Sequence, residues 1–107
     1  MIAVSNPPLP QLSPAESRRI GITASCRDCD KLPKVLGAGQ VFVDPQGVRY
    51  QLMHNGVRVV EDGYCGPWMT ELIHQLQGHH EPQEELAFQA LLEHLPAGAT
   101  MLELGSF

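Results

Sequence analysis

Between residues 40 and 60 the chain alternates apolar and polar positions in the way of short, half-buried strands. Gln40-Val41-Phe42-Val43-Asp44 is β-branched and aromatic, Pro45-Gln46-Gly47 turns, and Val48-Arg49-Tyr50-Gln51-Leu52 repeats at period two. Asn55 and Gly56 tolerate the positive φ of a tight hairpin turn, and Val57-Arg58-Val59-Val60 supplies the return strand. The pattern predicts a three-stranded antiparallel meander. Beyond it the period lengthens. Gly66-Pro67 opens a helix that carries Met69, Leu72, Ile73 and Leu76 on one face, and Gly78 closes it. Pro82 opens a second helix with the stripe Phe88, Leu91, Leu92 and Leu95. Its first turn holds Glu84 and Glu85, where the helix dipole favours negative charge, and Pro96-Ala97-Gly98 ends it. Met101-Leu102-Glu103-Leu104 is nearly continuous in apolar residues and reads as a central parallel strand buried on both faces.

The first 39 residues are less regular. Pro7, Pro8 and Pro10 among small and polar residues make residues 1–12 a mobile tail by composition. Ser13-Pro14-Ala15-Glu16 combines a capping serine, a proline at the first helical position and a glutamate three residues after the cap, which predicts a short helix near 14–20. Pro33, Gly37 and Gly39 then interrupt the pattern, as in a linker. The expected organisation is a flexible segment over 1–39 and an organised part over 40–107. Taken alone the chain is of α+β class. There are no internal repeats.

Several separated blocks carry a resemblance. They are Gln51-Leu52-Met53-His54-Asn55-Gly56, Gly63-Tyr64-Cys65-Gly66-Pro67-Trp68-Met69-Thr70, His79-His80-Glu81-Pro82-Gln83-Glu84-Glu85-Leu86-Ala87-Phe88, and the Met101-Leu102-Glu103-Leu104-Gly105 strand and turn. Together they resemble the lead-in and first strand of FkbM-type S-adenosylmethionine-dependent methyltransferases, over about residues 40 to 107. The resemblance implies an α/β fold, in which the meander and two helices lead into the first strand of a Rossmann-like domain. It implies a chain that is the front part of a larger enzyme. That enzyme would transfer a methyl group from S-adenosylmethionine to a hydroxyl of a carbohydrate, polyketide or similar small acceptor, and residues 1–107 alone would be inactive. The alternative from another class is a small non-catalytic α+β module that binds a protein partner through its meander or an apolar helix face.

The candidate site residues follow from both lines. By resemblance, Glu103 and Gly105 lie against the cofactor. A carboxylate there supplies the charge opposite to the sulfonium and ammonium, and the glycine lets the backbone approach. A solvated or helix-capping Glu103 is the plainer reading. His80, Glu81 and Glu84, at the start of the second helix, either line the crevice, Glu81 and Glu84 towards the cofactor and His80 towards the substrate, or serve as capping chemistry. His54 at the hairpin tip either overhangs the substrate or belongs to the turn. Tyr64 and Trp68 read as an aromatic cluster that anchors the first helix to the meander. No residue stands out as a catalytic base.

Composition narrows the partners. The 107 residues are 43% hydrophobic, ordinary for one modest core, and the net charge is −5. Arg58 is the last Lys or Arg, and Glu61, Asp62, Glu71, Glu81, Glu84, Glu85, Glu93 and Glu103 follow it, so that half would repel phosphates. Neither nucleic acid nor membrane is expected as a partner, and no run approaches the roughly 18 apolar residues of a membrane span. Nothing at the start resembles a secretory signal, and three cysteines leave an odd thiol. The expected compartment is the cytoplasm. Cys26-Arg27-Asp28-Cys29 has the spacing of half a zinc knuckle but lacks a second pair, so no metal is expected there. The sequence does not indicate an oligomeric state.

Overall fold

The computed structural model describes residues 2–3 and 12–105 of the chain. It is an α+β arrangement in the order β1 (Ile2–Ala3), α1 (Pro14–Ala24), a 3-10 turn (Asp28–Lys31), β2 (Val41–Val43), β3 (Arg49–Leu52), β4 (Arg58–Val60), α2 (Pro67–Gln75) and α3 (Pro82–Glu93). The strands form one antiparallel sheet in the order β1-β2-β3-β4. The expected meander is its β2-β3-β4 part, with Phe42 opposite Tyr50 and Tyr50 opposite Val60. The fourth strand was expected to lie in a mobile tail: Ile2 and Ala3 pair with Val43 and Phe42. Their backbone groups complete the free edge of β2, a gain that proline content upstream does not reveal.

The N-terminal helix begins as expected. Ser13 caps it by accepting from the Glu16 amide, and its hydroxyl donates to the Glu16 carboxylate. It runs on to Ala24, four residues beyond the expected end, because Ile20 and Ala24 reach the core. The segment after it, expected as flexible, also contributes to the interior: Cys29 and Leu32 are buried. Ile20, Ala24 and Cys29 meet Met69, Leu72, Ile73 and Leu76 of α2 in one cluster. All four apolar positions predicted for α2 are therefore buried, each contributing about 1.5–3 kcal/mol of transfer free energy. Gln77 and Gly78, at φ +58 and +88, end this helix, the Gly78 amide donating to the Ile73 carbonyl.

The second predicted stripe behaves differently. α3 forms at the expected place, opened by Pro82, but Phe88, Leu91, Leu92 and Leu95 remain 41 to 55% exposed. The strand expected at residues 101–104 does not form. Met101, Leu102 and Leu104 are exposed, Leu102 and Leu104 at 80% and 86%. A central parallel strand needs hydrogen-bonding neighbours on both sides, and none of the described strands reaches it. No helix among the described residues is long and apolar enough to cross a membrane.

Candidate functional site

The hairpin between β3 and β4 and the loop between α2 and α3 meet at their backbones. The turn at 53–56 is closed by Gly56, at φ +89, whose amide donates to the Met53 carbonyl, while the Asn55 side chain accepts from the Val57 amide. Only Gly56 of the Asn-Gly pair takes positive φ. The His54 amide donates to the Gly78 carbonyl at 2.9 Å, and the His54 carbonyl accepts from the Val35 amide at 2.8 Å. Both loops are thus fixed where His54 and His79 leave them.

The two imidazoles stack, with centroids 4.2 Å apart and planes 19° from parallel. His79 is fully buried, and its Nδ1 lies 2.8 and 3.0 Å from the two carboxylate oxygens of Glu85. With an ionised carboxylate, Nδ1 carries the proton and donates. His54 Nε2 lies 3.6 Å from Glu85 Oε1. The side chains of His54 and Glu85 are about one quarter exposed, so the cluster opens to solvent on their side. Burial pushes the His54 imidazole below its ordinary value, opposed by the Glu85 carboxylate and assisted by positive charge at His79 and Lys34. One ring nitrogen from each histidine and one Glu85 oxygen all lie within 4.8 Å of one another. The Nε2 of His79 is buried and has no hydrogen-bond partner among the described residues.

A groove of about 390 Å³ lies between β4 and α2. Met53 and His80, chain neighbours of His54 and His79, line it together with Gln51, Asp62, Tyr64 and Thr70. Tyr64 meets His80 edge to face at 5.6 Å. The Asp62 amide donates to Thr70 Oγ1, and the Thr70 hydroxyl donates to the Asp62 carboxylate, which holds Asp62 at φ +59. Buried Gln51 donates through Nε2 to the Gly39 and Thr70 carbonyls, both at 2.9 Å, and so ties β3 to α2.

The residues singled out from the sequence separate into four places. His54 belongs to the imidazole cluster and His80 to the groove. Glu81 and Glu84 are exposed at the start of α3, where Glu84 is raised above its ordinary value by the hydrogen bond and charge of Glu81. Glu103 and Gly105 lie in the exposed stretch beyond α3, and Gly105 takes φ +76. Phe107 lies outside the described residues. Tyr64 and Trp68 do not form the expected pair: Trp68 packs against the α1–α2 core under the Arg19 guanidinium at 5.3 Å. Cys26 and Cys65 are accessible, whereas burial raises the Cys29 thiol, and all three are free.

Sequence reasoning missed His79 with Glu85 as a working pair. Their spacing was the signal: with Pro82 at the first helical position, Glu85 falls a turn into α3, where its side chain reaches back over the helix start towards residue 79. Compared with protein-family models, with curated proteins and with solved structures, the chain matches none.

Proposed function

We propose that the chain is the leading part of an S-adenosylmethionine-dependent methyltransferase that methylates a hydroxyl of a carbohydrate, polyketide or similar small acceptor. The FkbM-type resemblance behind this reading rests on the sequence blocks alone, and the comparisons lend it no support. The observation that carries it is the bare apolar surface at α3 and residues 101–104. Seven large apolar side chains there are exposed in a chain whose α2 stripe is fully covered. A doubly wound sheet would cover such a surface, with residues 101–104 as a central strand and α3 against its face. On this reading Glu103 and Gly105 meet the cofactor at the end of that strand, and the groove at His80 receives the acceptor. Methyl transfer requires the acceptor oxygen in line with the sulfonium carbon, so positioning dominates the chemistry.

The test is to read the coding frame past the Phe107 codon and to measure S-adenosylmethionine binding by the polypeptide it encodes. An open frame of about 150 residues with alternating strands and helices, together with saturable cofactor binding, is the expected result. A stop codon at that point, or no cofactor binding by the longer polypeptide, removes the reading. The exposed α3 face would then favour the small non-catalytic binding module.

A further inference from the structure

We propose that His54, His79 and Glu85 form a binding site for a divalent transition-metal ion of the zinc class. The proposal does not depend on the methyl-transfer reading, because every ligand lies within the described residues. Two imidazoles and a carboxylate are a donor set that suits zinc and its neighbours. Zinc–nitrogen and zinc–oxygen bonds of about 2.0–2.2 Å at tetrahedral angles put ligand atoms roughly 3.3–3.6 Å apart. His54 Nε2 and Glu85 Oε1 already have that separation, at 3.6 Å. His79 Nδ1 and Glu85 Oε2 are closer, at 2.8 Å, as expected where a proton bridges them. An ion that replaces the proton moves this pair apart by about half an ångström.

Two further features fit a metal site. The backbones of both histidines are fixed by the His54–Gly78 hydrogen bond, so two ligands distant in sequence are brought to one place before any ion arrives. The exposed quarter of His54 and Glu85 leaves a direction open for a water or substrate atom as the fourth ligand. Coordination does require the stacked rings to splay, so that their in-plane lone pairs converge. The broad χ2 torsion of histidine allows that motion, above all at partly exposed His54.

The experiment is calorimetric titration of the 107-residue protein with Zn²⁺, repeated with Co²⁺ while the visible spectrum is recorded. His54→Gln and Glu85→Gln are the variants of choice, because both side chains are partly exposed, and Trp68 fluorescence reports whether each variant folds. The expected result is one ion per chain, with affinity falling at least the roughly 10–100-fold typical of disturbed metal sites in either variant. Cys26→Ser and Cys65→Ser should leave it unchanged, and the Co²⁺ spectrum should lack a thiolate charge-transfer band. Absence of saturable binding overturns the proposal. So does binding that survives both His54→Gln and Glu85→Gln, or that disappears with the cysteines.

Discussion

Gly78→Ala tests the joint on which the imidazole cluster is built. A Cβ on Gly78 would stand 2.7 Å from the His54 amide nitrogen, 2.9 Å from Ala38 Cβ and 3.0 Å from the Gly39 amide nitrogen. Two of these atoms are backbone, so no rotamer change relieves the contact. The φ of +88 adds the left-handed penalty of about 1–2 kcal/mol for a residue with a side chain. Forced overpacking costs about a further 1–3 kcal/mol. The two add to roughly 2–5 kcal/mol, a large part of the 5–15 kcal/mol that holds a typical small domain together. Gly47 is the control, since it has a similar φ of +83 but no atom of the described residues within 4 Å of its Cβ position. Gly47→Ala should lose about 1–2 kcal/mol from φ alone. Urea unfolding followed by the fluorescence of the single tryptophan, Trp68, measures both. A Gly78→Ala variant no less stable than Gly47→Ala would refute the close approach of the two loops, and with it the geometry of the cluster.

Gln51→Leu removes two hydrogen bonds that join β3 to Gly39 and Thr70, and should cost about 1–3 kcal/mol by urea unfolding; a loss below about 0.5 kcal/mol would mean that the amide is not holding α2 to the sheet. Because the folded-state pKa of His54 lies below its ordinary 6.5, the unfolded chain takes up a proton first as pH falls. The stability from neutral His54 is therefore full above about pH 6.5 and is lost as pH falls through the lower folded value. His54→Gln should flatten the pH dependence of stability in this window, and an unchanged profile would contradict the burial argument. Leu91 is 55% exposed, so Leu91→Lys should alter stability by no more than about 0.5 kcal/mol in urea unfolding. A loss above about 1 kcal/mol would show that this face of α3 is packed.

Local pattern determined much of the architecture. The period-two residues of 41–60 became β2, β3 and β4, the Ser13-Pro14 signal became a capped helix, and the α2 stripe became the core. These features depend on neighbours within a few residues, which a sequence displays directly. The same reasoning located α3 but could not say whether its apolar face would find a surface, and it assigned residues 101–104 to a strand that finds no pairing neighbour among the described residues. A strand is stabilised by hydrogen bonds to other segments, so its apolar pattern is necessary and not sufficient. The β1 pairing and the length of α1 were likewise decided by contacts distant in the chain. So was the candidate site. His54 was legible as a polar residue at a hairpin tip and His79 as part of a His-rich stretch before a helix. Their stacking on one another and their approach to the Glu85 carboxylate arise because a glycine at φ +88 lets one backbone come within hydrogen-bonding distance of the other. A sequence names the residues that are able to do this, but only the packed chain brings their nitrogens and oxygens together, because that convergence is set by backbone separation across loops and not by spacing along the chain.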